Sequence, residues 1–264
     1  MIPIRIDPTL IQLGPITVAW HGLWLAVGVL SGFMVFLHEG RRKGMDRDQL
    51  LQLLLWVLVS GYVGARLLHV LLYEWEAYAA QPLRILDVGA GGLSVYGALI
   101  GGTLAVALYA RWKRLPFWHL ADAAVVGIAA GEIVGRVGCT IAGDVPGVPT
   151  NGSWGLVYWH PNASVPPDLL GVPTFPAPVA MQVWNLGLLI LLLVLRKRIQ
   201  PAGALFLIGM IVYSVGRFII SIWQPEKSLL WGLKPTQAVA VTVMSVAILA
   251  LLRLRRRAPP APHP

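Results

Sequence analysis

Residues 49–73 read QLLQLLLWVLVSGYVGARLLHVLLY, a run of 25 in which Arg66 is the one member of the Asp, Glu, Lys and Arg set. At about 1.5 Å of rise per residue the run spans roughly 37 Å as a helix, more than the hydrocarbon core of a bilayer at about 30 Å. Further apolar stretches run approximately over 17–38, 93–110, 118–135, 180–195, 202–222 and 235–252. The composition agrees: 56% apolar and 12% charged residues, with a mean hydropathy of +0.69, describe a chain whose solvent is largely lipid. The expectation is an all-α, polytopic membrane helix bundle of about seven transmembrane helices, forming one integral domain over 1–257. The stretches 93–110 and 118–135 are short and glycine-rich, so hydropathy alone does not decide whether they cross fully.

Orientation follows from the basic residues, which concentrate on the cytoplasmic side of membrane proteins. One face collects Arg41, Arg42, Lys43, Arg47, Arg111, Lys113, Arg114, Arg196, Lys197, Arg198, Arg253, Arg255, Arg256 and Arg257. The other holds Arg5, Arg84, Lys227 and Lys234. This alternation places the N-terminus outside and the C-terminus in the cytoplasm. The net charge of +9 is thereby assigned to topology and anionic lipid head groups, and nucleic acid is excluded as a partner. Residues 258–264 form a Pro-rich tail expected to be disordered, and no cleavable signal peptide is evident. Cys139 is the single cysteine, which excludes an intrachain disulfide and a thiolate metal cluster. No ligand spacing links the six histidines to a carboxylate or to that cysteine, so neither metal nor cofactor is expected. A Gly-, Pro- and aromatic-rich segment over about 137–178 reads as a structured, outward-facing loop whose Trp and Tyr lie at the interface.

Three arginines stand in apolar surroundings: Arg66, Arg136 and Arg217. A guanidinium inside a span costs on the order of 3 kcal/mol at mid-membrane on insertion scales, so something must offset it. Arg66 sits a turn or two before Tyr73; Arg136 is read as closing the fourth span; Arg217 follows Tyr213 by four residues, on one helical face. Arg presents a planar fork of donors that matches phosphate, so the three together suggest a site for a phospholipid head group. Snorkelling to the interface, or a structural ion network with Glu132 and Asp144, are the alternatives. The run from Gly89 to Gly102, with six glycines in fourteen residues, permits a tight turn and close backbone approach to a ligand at Gly92, Ser94, Tyr96 and Gly97. A glycine-rich packing surface is the other reading.

Several segments then carry a resemblance. Trp20-His21-Gly22-Leu23, Gly64-Ala65-Arg66, Gly91 to Gly97, Gly135-Arg136-Val137-Gly138 with Gly143-Asp144, Trp154-Gly155, and Tyr213 to Arg217 with Gln224-Pro225 resemble the prolipoprotein diacylglyceryl transferase family, from about residue 16 to 252. The resemblance implies a multi-pass transferase of the bacterial inner membrane. Such an enzyme attaches the diacylglyceryl group of phosphatidylglycerol as a thioether to the lipobox cysteine of a preprolipoprotein signal peptide, and it works within the bilayer without a cofactor. It implies Arg136 as the phosphate clamp and Arg217 as a catalytic residue. Gly92, Ser94, Gly97, Gly143, Asp144, Tyr213, Arg66 and His21 would line the substrates. The chain also departs from the family pattern. Tyr96 stands where a histidine is usual and is the expected catalytic partner of Arg217; Cys139 replaces an asparagine, Asp144 a glutamate, and His21 a tyrosine. His21 supplies an imidazole for the lost one, or else packs at the interface. The departures leave open a divergent paralogue that binds lipid or lipoprotein without this transfer, or transfers to another acceptor.

Overall fold

The computed structural model describes residues 1–14, 16–73, 75, 78, 81, 92–228 and 232–257. The Pro-rich tail, Arg84 and the Gly89–Gly91 part of the glycine run lie outside the described residues. The protein is an all-α, polytopic membrane protein. Among the described residues the α-helices with given bounds are α1 (Trp20–Arg42), α2 (Arg47–Tyr73), α3 (Val95–Trp112), α4 (Phe117–Ala142), α5 (Ala177–Leu195), α6 (Ala204–Ser221) and α7 (Pro235–Arg257). Six are long and apolar enough to cross a membrane. The exception is α3, whose 18 residues include Gly97, Gly101, Gly102 and Arg111. Many large apolar side chains point outward, Leu30, Met34, Val59 and Leu72 among them, each more than 60% exposed. Lipid is the solvent that such a surface needs.

The chain divides into two compact units, one of Met1–Phe36 with Ala121–Pro264 and one of Leu37–Leu120. In the second unit α2 is capped by Asp46, which accepts from Gln49 N at 3.0 Å, and α3 by Ser94, which accepts from Gly97 N at 3.4 Å. These bonds satisfy amides that a helix start leaves unpaired. Glycines bring α2 and α3 into backbone contact: a Cβ on Gly97 would stand 2.2 Å from Gly64 O, and one on Gly101 2.2 Å from Ser60 O. Gly97, expected to line the substrate, therefore holds two helices together, which is the packing reading of the glycine run.

In the first unit the same device joins α1 to α4. A Cβ on Gly28 would lie 2.8 Å from Gly131 O, on Gly32 2.7 Å from Gly127 O, and on Gly138 3.0 Å from His21 Cα. Partner numbers fall along one helix as they rise along the other, so the two run antiparallel with small residues at the seam. Val125, Val126 and Ala129 of α4 pack on Leu188 and Leu192 of α5 and Leu205 of α6. Buried Asp122 accepts from Gly203 N at 3.0 Å and Phe206 N at 2.9 Å, capping α6 from a neighbouring helix. Lys234 donates to the carbonyls of Ser221, Ile222 and Gln224 and so closes the other end of α6.

Two expected span ends are corrected. Helix α4 runs through Arg136 to Ala142, and the chain turns only at Gly143, whose φ of +76° favours glycine. The expected span start at residue 17 is strand instead: β3 (Ile16–Ala19) pairs antiparallel with β2 (Thr9–Leu13), and α1 begins at Trp20. The segment after Gly143 is built. Its strand β4 (Leu156–Tyr158) pairs in parallel with β1 (Ile2–Ile4), over a small core of Leu156, Tyr158, Val165 and Leu169.

Candidate active site at the end of helix α4

The last two turns of α4 place Glu132, Arg136 and Cys139 on one face at i, i+4 and i+7. Arg136 Nε and Nη2 donate to Glu132 Oε2 at 3.2 and 3.1 Å, and Nη1 points at Cys139 Sγ at 3.9 Å. The guanidinium is neutralised on the edge that faces Glu132, and its Nη1 lies on the side of Cys139. The Arg136 side chain is 15% exposed, so it does not reach out to water. Tyr213 on α6 lies within electrostatic reach of Arg136, Glu132 and Arg217. Arg217 is half-buried, four residues further along the same helix face. Two of the three arginines singled out in the sequence thus share a tyrosine.

Beyond Cys139 the helix ends, and Gly143 folds the chain back so that Asp144 faces the start of α1. His21 Nδ1 lies 3.0 Å from Asp144 Oδ2 and 3.9 Å from Cys139 Sγ. The three ligand atoms of His21, Cys139 and Asp144 all fall within 4.8 Å of one another, which offers nitrogen, sulfur and oxygen to one point. That convergence is not visible in the spacing of the three residues along the chain. The sequence distance of 118 residues between His21 and Cys139 hides it, and the contact of Gly138 with His21 creates it. The turn is braced from behind: Tyr158 donates to Thr140 O at 3.0 Å, and Gly143 packs on Tyr158 and Val165. Burial pushes the Tyr158 phenol above its ordinary value, with the nearby Asp144 carboxylate adding to the shift, so it stays a donor. Gln182 of α5 donates to Ile133 O at 2.8 Å, fixing the neighbouring turn of α4.

The chain matches the description of the prolipoprotein diacylglyceryl transferase family over residues 8–253. The chain belongs to that family. A phosphatidylglycerol–prolipoprotein diacylglyceryl transferase of Nostoc sp. is 34% identical over 95% of this chain and 90% of its own length. Relatives of the same name from Synechococcus elongatus and Bacillus cereus are 33% and 32% identical, over 93% and 96% of this chain and 86% and 93% of theirs. Membership makes the chain a transferase, and it turns attention to where the remaining family positions fall.

The remaining expected residues of this transferase-family site belong to the second unit. Arg66 is 4% exposed; its Nη1 donates to Gly92 O at 3.1 Å, and its guanidinium lies over the Tyr78 ring at 5.3 Å. It is therefore not a snorkelling arginine. Gly92, at φ +78°, and Ser94, whose N–H donates to Ala65 O at 3.0 Å, form the turn into α3. Tyr96, in the first turn of α3, is 60% exposed. Within the first unit the structure joins Arg136, Tyr213, Arg217, His21, Gly143 and Asp144. Sequence reasoning missed Cys139 as a member of this group, and its i+3 spacing from Arg136 was the available signal.

Proposed function

We propose that this protein is a phosphatidylglycerol–prolipoprotein diacylglyceryl transferase of the bacterial inner membrane, facing outward, with the N-terminus outside and the C-terminus in the cytoplasm. It moves the diacylglyceryl group of phosphatidylglycerol to the lipobox cysteine of a preprolipoprotein signal peptide. The acceptor thiol loses its proton, and its sulfur attacks the glyceryl carbon. The bond between that carbon and the phosphate oxygen breaks, the electron pair leaves on oxygen, and the proton ends on the departing glycerol phosphate.

The observation that carries this reading is the Arg136 fork, held by Glu132 within a bilayer-spanning helix and backed by Tyr213 and Arg217. A phosphodiester carries one negative charge, and its leaving monoester gathers more. Donors fixed before reaction and shielded from water stabilise that growing charge most effectively. Arg136 clamps the phosphate. Arg217 meets the charge that develops on departure, and Tyr213 holds the two arginines in register. Asp144 and His21 stand beside them at the end of α4, where the acceptor thiol must arrive. In the second unit, the family resemblance assigns substrate contacts to Arg66, Gly92, Ser94 and Tyr96. Lipid reaches the site from the bilayer itself, the solvent of the outer face of every spanning helix.

A synthetic lipobox peptide incubated with the purified protein and phosphatidylglycerol in detergent tests the reading by mass spectrometry. The peptide cysteine should gain one diacylglyceryl unit, and Arg136→Ala should abolish the gain. Folded protein that binds phosphatidylglycerol and leaves the peptide unmodified would instead make the chain a divergent, non-transferring member.

A further inference from the structure

We propose that His21, Cys139 and Asp144 bind a zinc-class divalent cation beside the Arg136 clamp. Three donors of different type converge there. His21 Nδ1 is 3.0 Å from Asp144 Oδ2 and 3.9 Å from Cys139 Sγ, and Cys139 Sγ and the Asp144 carboxylate lie within 4.8 Å of each other. One ring nitrogen has a single proton or a single lone pair to offer, yet two partners face it. A cation at the centre satisfies all three at once. Tetrahedral bonds of about 2.0–2.3 Å to N, O and S set those atoms about 3.3–3.6 Å apart, so His21 needs shifts of only a few tenths of an ångström toward either partner, and Cys139 and Asp144, within 4.8 Å of each other, close on the ion by side-chain rotation.

The donor set selects the ion. One thiolate, one imidazole and one carboxylate favour zinc-class metals over calcium or magnesium, which seek oxygen alone. Charge also balances. Thiolate and carboxylate neutralise a dication, while Glu132 neutralises Arg136, 3.1 Å away. A neutral assembly is what a site near bilayer depth tolerates. The frame is stiff, because His21 rests on Gly138 and the turn carrying Asp144 is pinned by Tyr158.

Three protein ligands leave a fourth position, the arrangement of sites that take substrate rather than only hold a fold. Resting on the transfer reading above, that position receives the acceptor thiol. A coordinating thiol gives up its proton at neutral pH. The thiolate then attacks the glyceryl carbon as before, and the released proton ends on glycerol phosphate.

The test uses the full-length protein in detergent, stripped by a chelator and titrated with Co2+ alone. One Co2+ per chain should bind with the visible bands of four-coordination and a near-ultraviolet thiolate-to-cobalt band. Cys139→Ser should remove that band, His21→Ala and Asp144→Asn should each weaken binding about tenfold or more, and Zn2+ should displace the cobalt. A lipobox peptide should strengthen the thiolate band, and its cysteine-to-serine counterpart should not. A stripped protein that melts normally yet shows no thiolate band, or an unchanged band in Cys139→Ser, overturns the site. Full transfer by the stripped protein overturns its catalytic role and leaves the His21–Asp144 pair to take the thiol proton directly. Absence of transfer from both stripped and loaded protein, with the cobalt spectrum intact, defeats the transferase reading and leaves the metal site standing.

Discussion

Gly138 and His21 touch backbone to backbone: a Cβ on Gly138 would stand 3.0 Å from His21 Cα and 3.1 Å from His21 O. That contact ties the end of α4 to the start of α1, so the imidazole and the Cys139 thiol meet only as long as residue 138 has no side chain. Gly138→Ala should lower the thermal stability in detergent by about 1–3 kcal/mol, the usual range for overpacking, and depress transfer at least in proportion. Gly135→Ala is the control, because a Cβ there meets nothing within 4 Å and alanine is the better helix former by up to about 1 kcal/mol. Equal loss in both variants would mean that the seam between the helices does not set the site.

Arg136 tests geometry against charge. Arg136→Lys keeps the positive charge next to Glu132 and loses the planar fork. Transfer to the lipobox peptide should fall about 100-fold, the scale seen when one preorganised donor is lost, while lipid binding falls less. Glu132→Gln should give a smaller loss, since it removes only the group that orients the fork. Undiminished turnover in Arg136→Lys would remove the clamp from the mechanism.

How much of this the sequence disclosed depends on what each residue's neighbours are. Spanning helices need only an uninterrupted apolar length, and that is visible along the chain. Their ends are not, because Ile16 to Ala19 are as apolar as a helix start yet pair as a strand with β2. Likewise Val137 to Ala142 contain no proline, and Gly138 stays within the helix, so α4 continues past Arg136 until Gly143 turns it. Arg136, Tyr213 and Arg217 were legible because a charge in an oily run demands a partner. The His21, Cys139 and Asp144 group was not, since only the glycine contacts between α1 and α4 make neighbours of residues 118 apart.

Tyr158 offers a pH signature. Burial raises its phenol above the ordinary value, so the neutral form is favoured in the folded state while the unfolded chain ionises near pH 10. The stabilisation is therefore complete below about pH 10 and is lost progressively as the pH rises from there toward the raised folded value. Thermal melts in detergent should show a decline above that pH in the wild type that is reduced in Tyr158→Phe. At neutral pH the same variant should be less stable by about 1 kcal/mol through loss of the bond to Thr140 O. Parallel melting curves for the two proteins across pH 8–11 would contradict this.

The topology can be tested through the single native cysteine. Cys139 is buried, so in a Cys139→Ser background a new cysteine at Asn162, in the segment after α4, should react in intact cells with a thiol reagent that does not cross membranes. A cysteine at Lys113, beyond α3, should react only after the membrane is opened. The reverse pattern would invert the chain and place the Arg136 clamp on the cytoplasmic leaflet.

Asp122 decides whether α6 is held from outside itself. Its two carboxylate oxygens accept from Gly203 N and Phe206 N, amides at a helix start that have no acceptor within α6. Asp122→Ala strands both donors in a buried place where water cannot replace the lost acceptor, and should cost about 2–4 kcal/mol, taking one to two per unsatisfied group. Asp122→Asn keeps one oxygen but turns an NH2 group toward the second amide, so its loss should be intermediate. Tyr213 and Arg217 ride on α6, so the alanine variant should also loosen their hold on Arg136 and reduce phosphatidylglycerol binding in the fraction that remains folded. Equal melting temperatures for wild type, Asn and Ala forms would show that the helix start is satisfied by other means and that α6 is positioned by its apolar face alone.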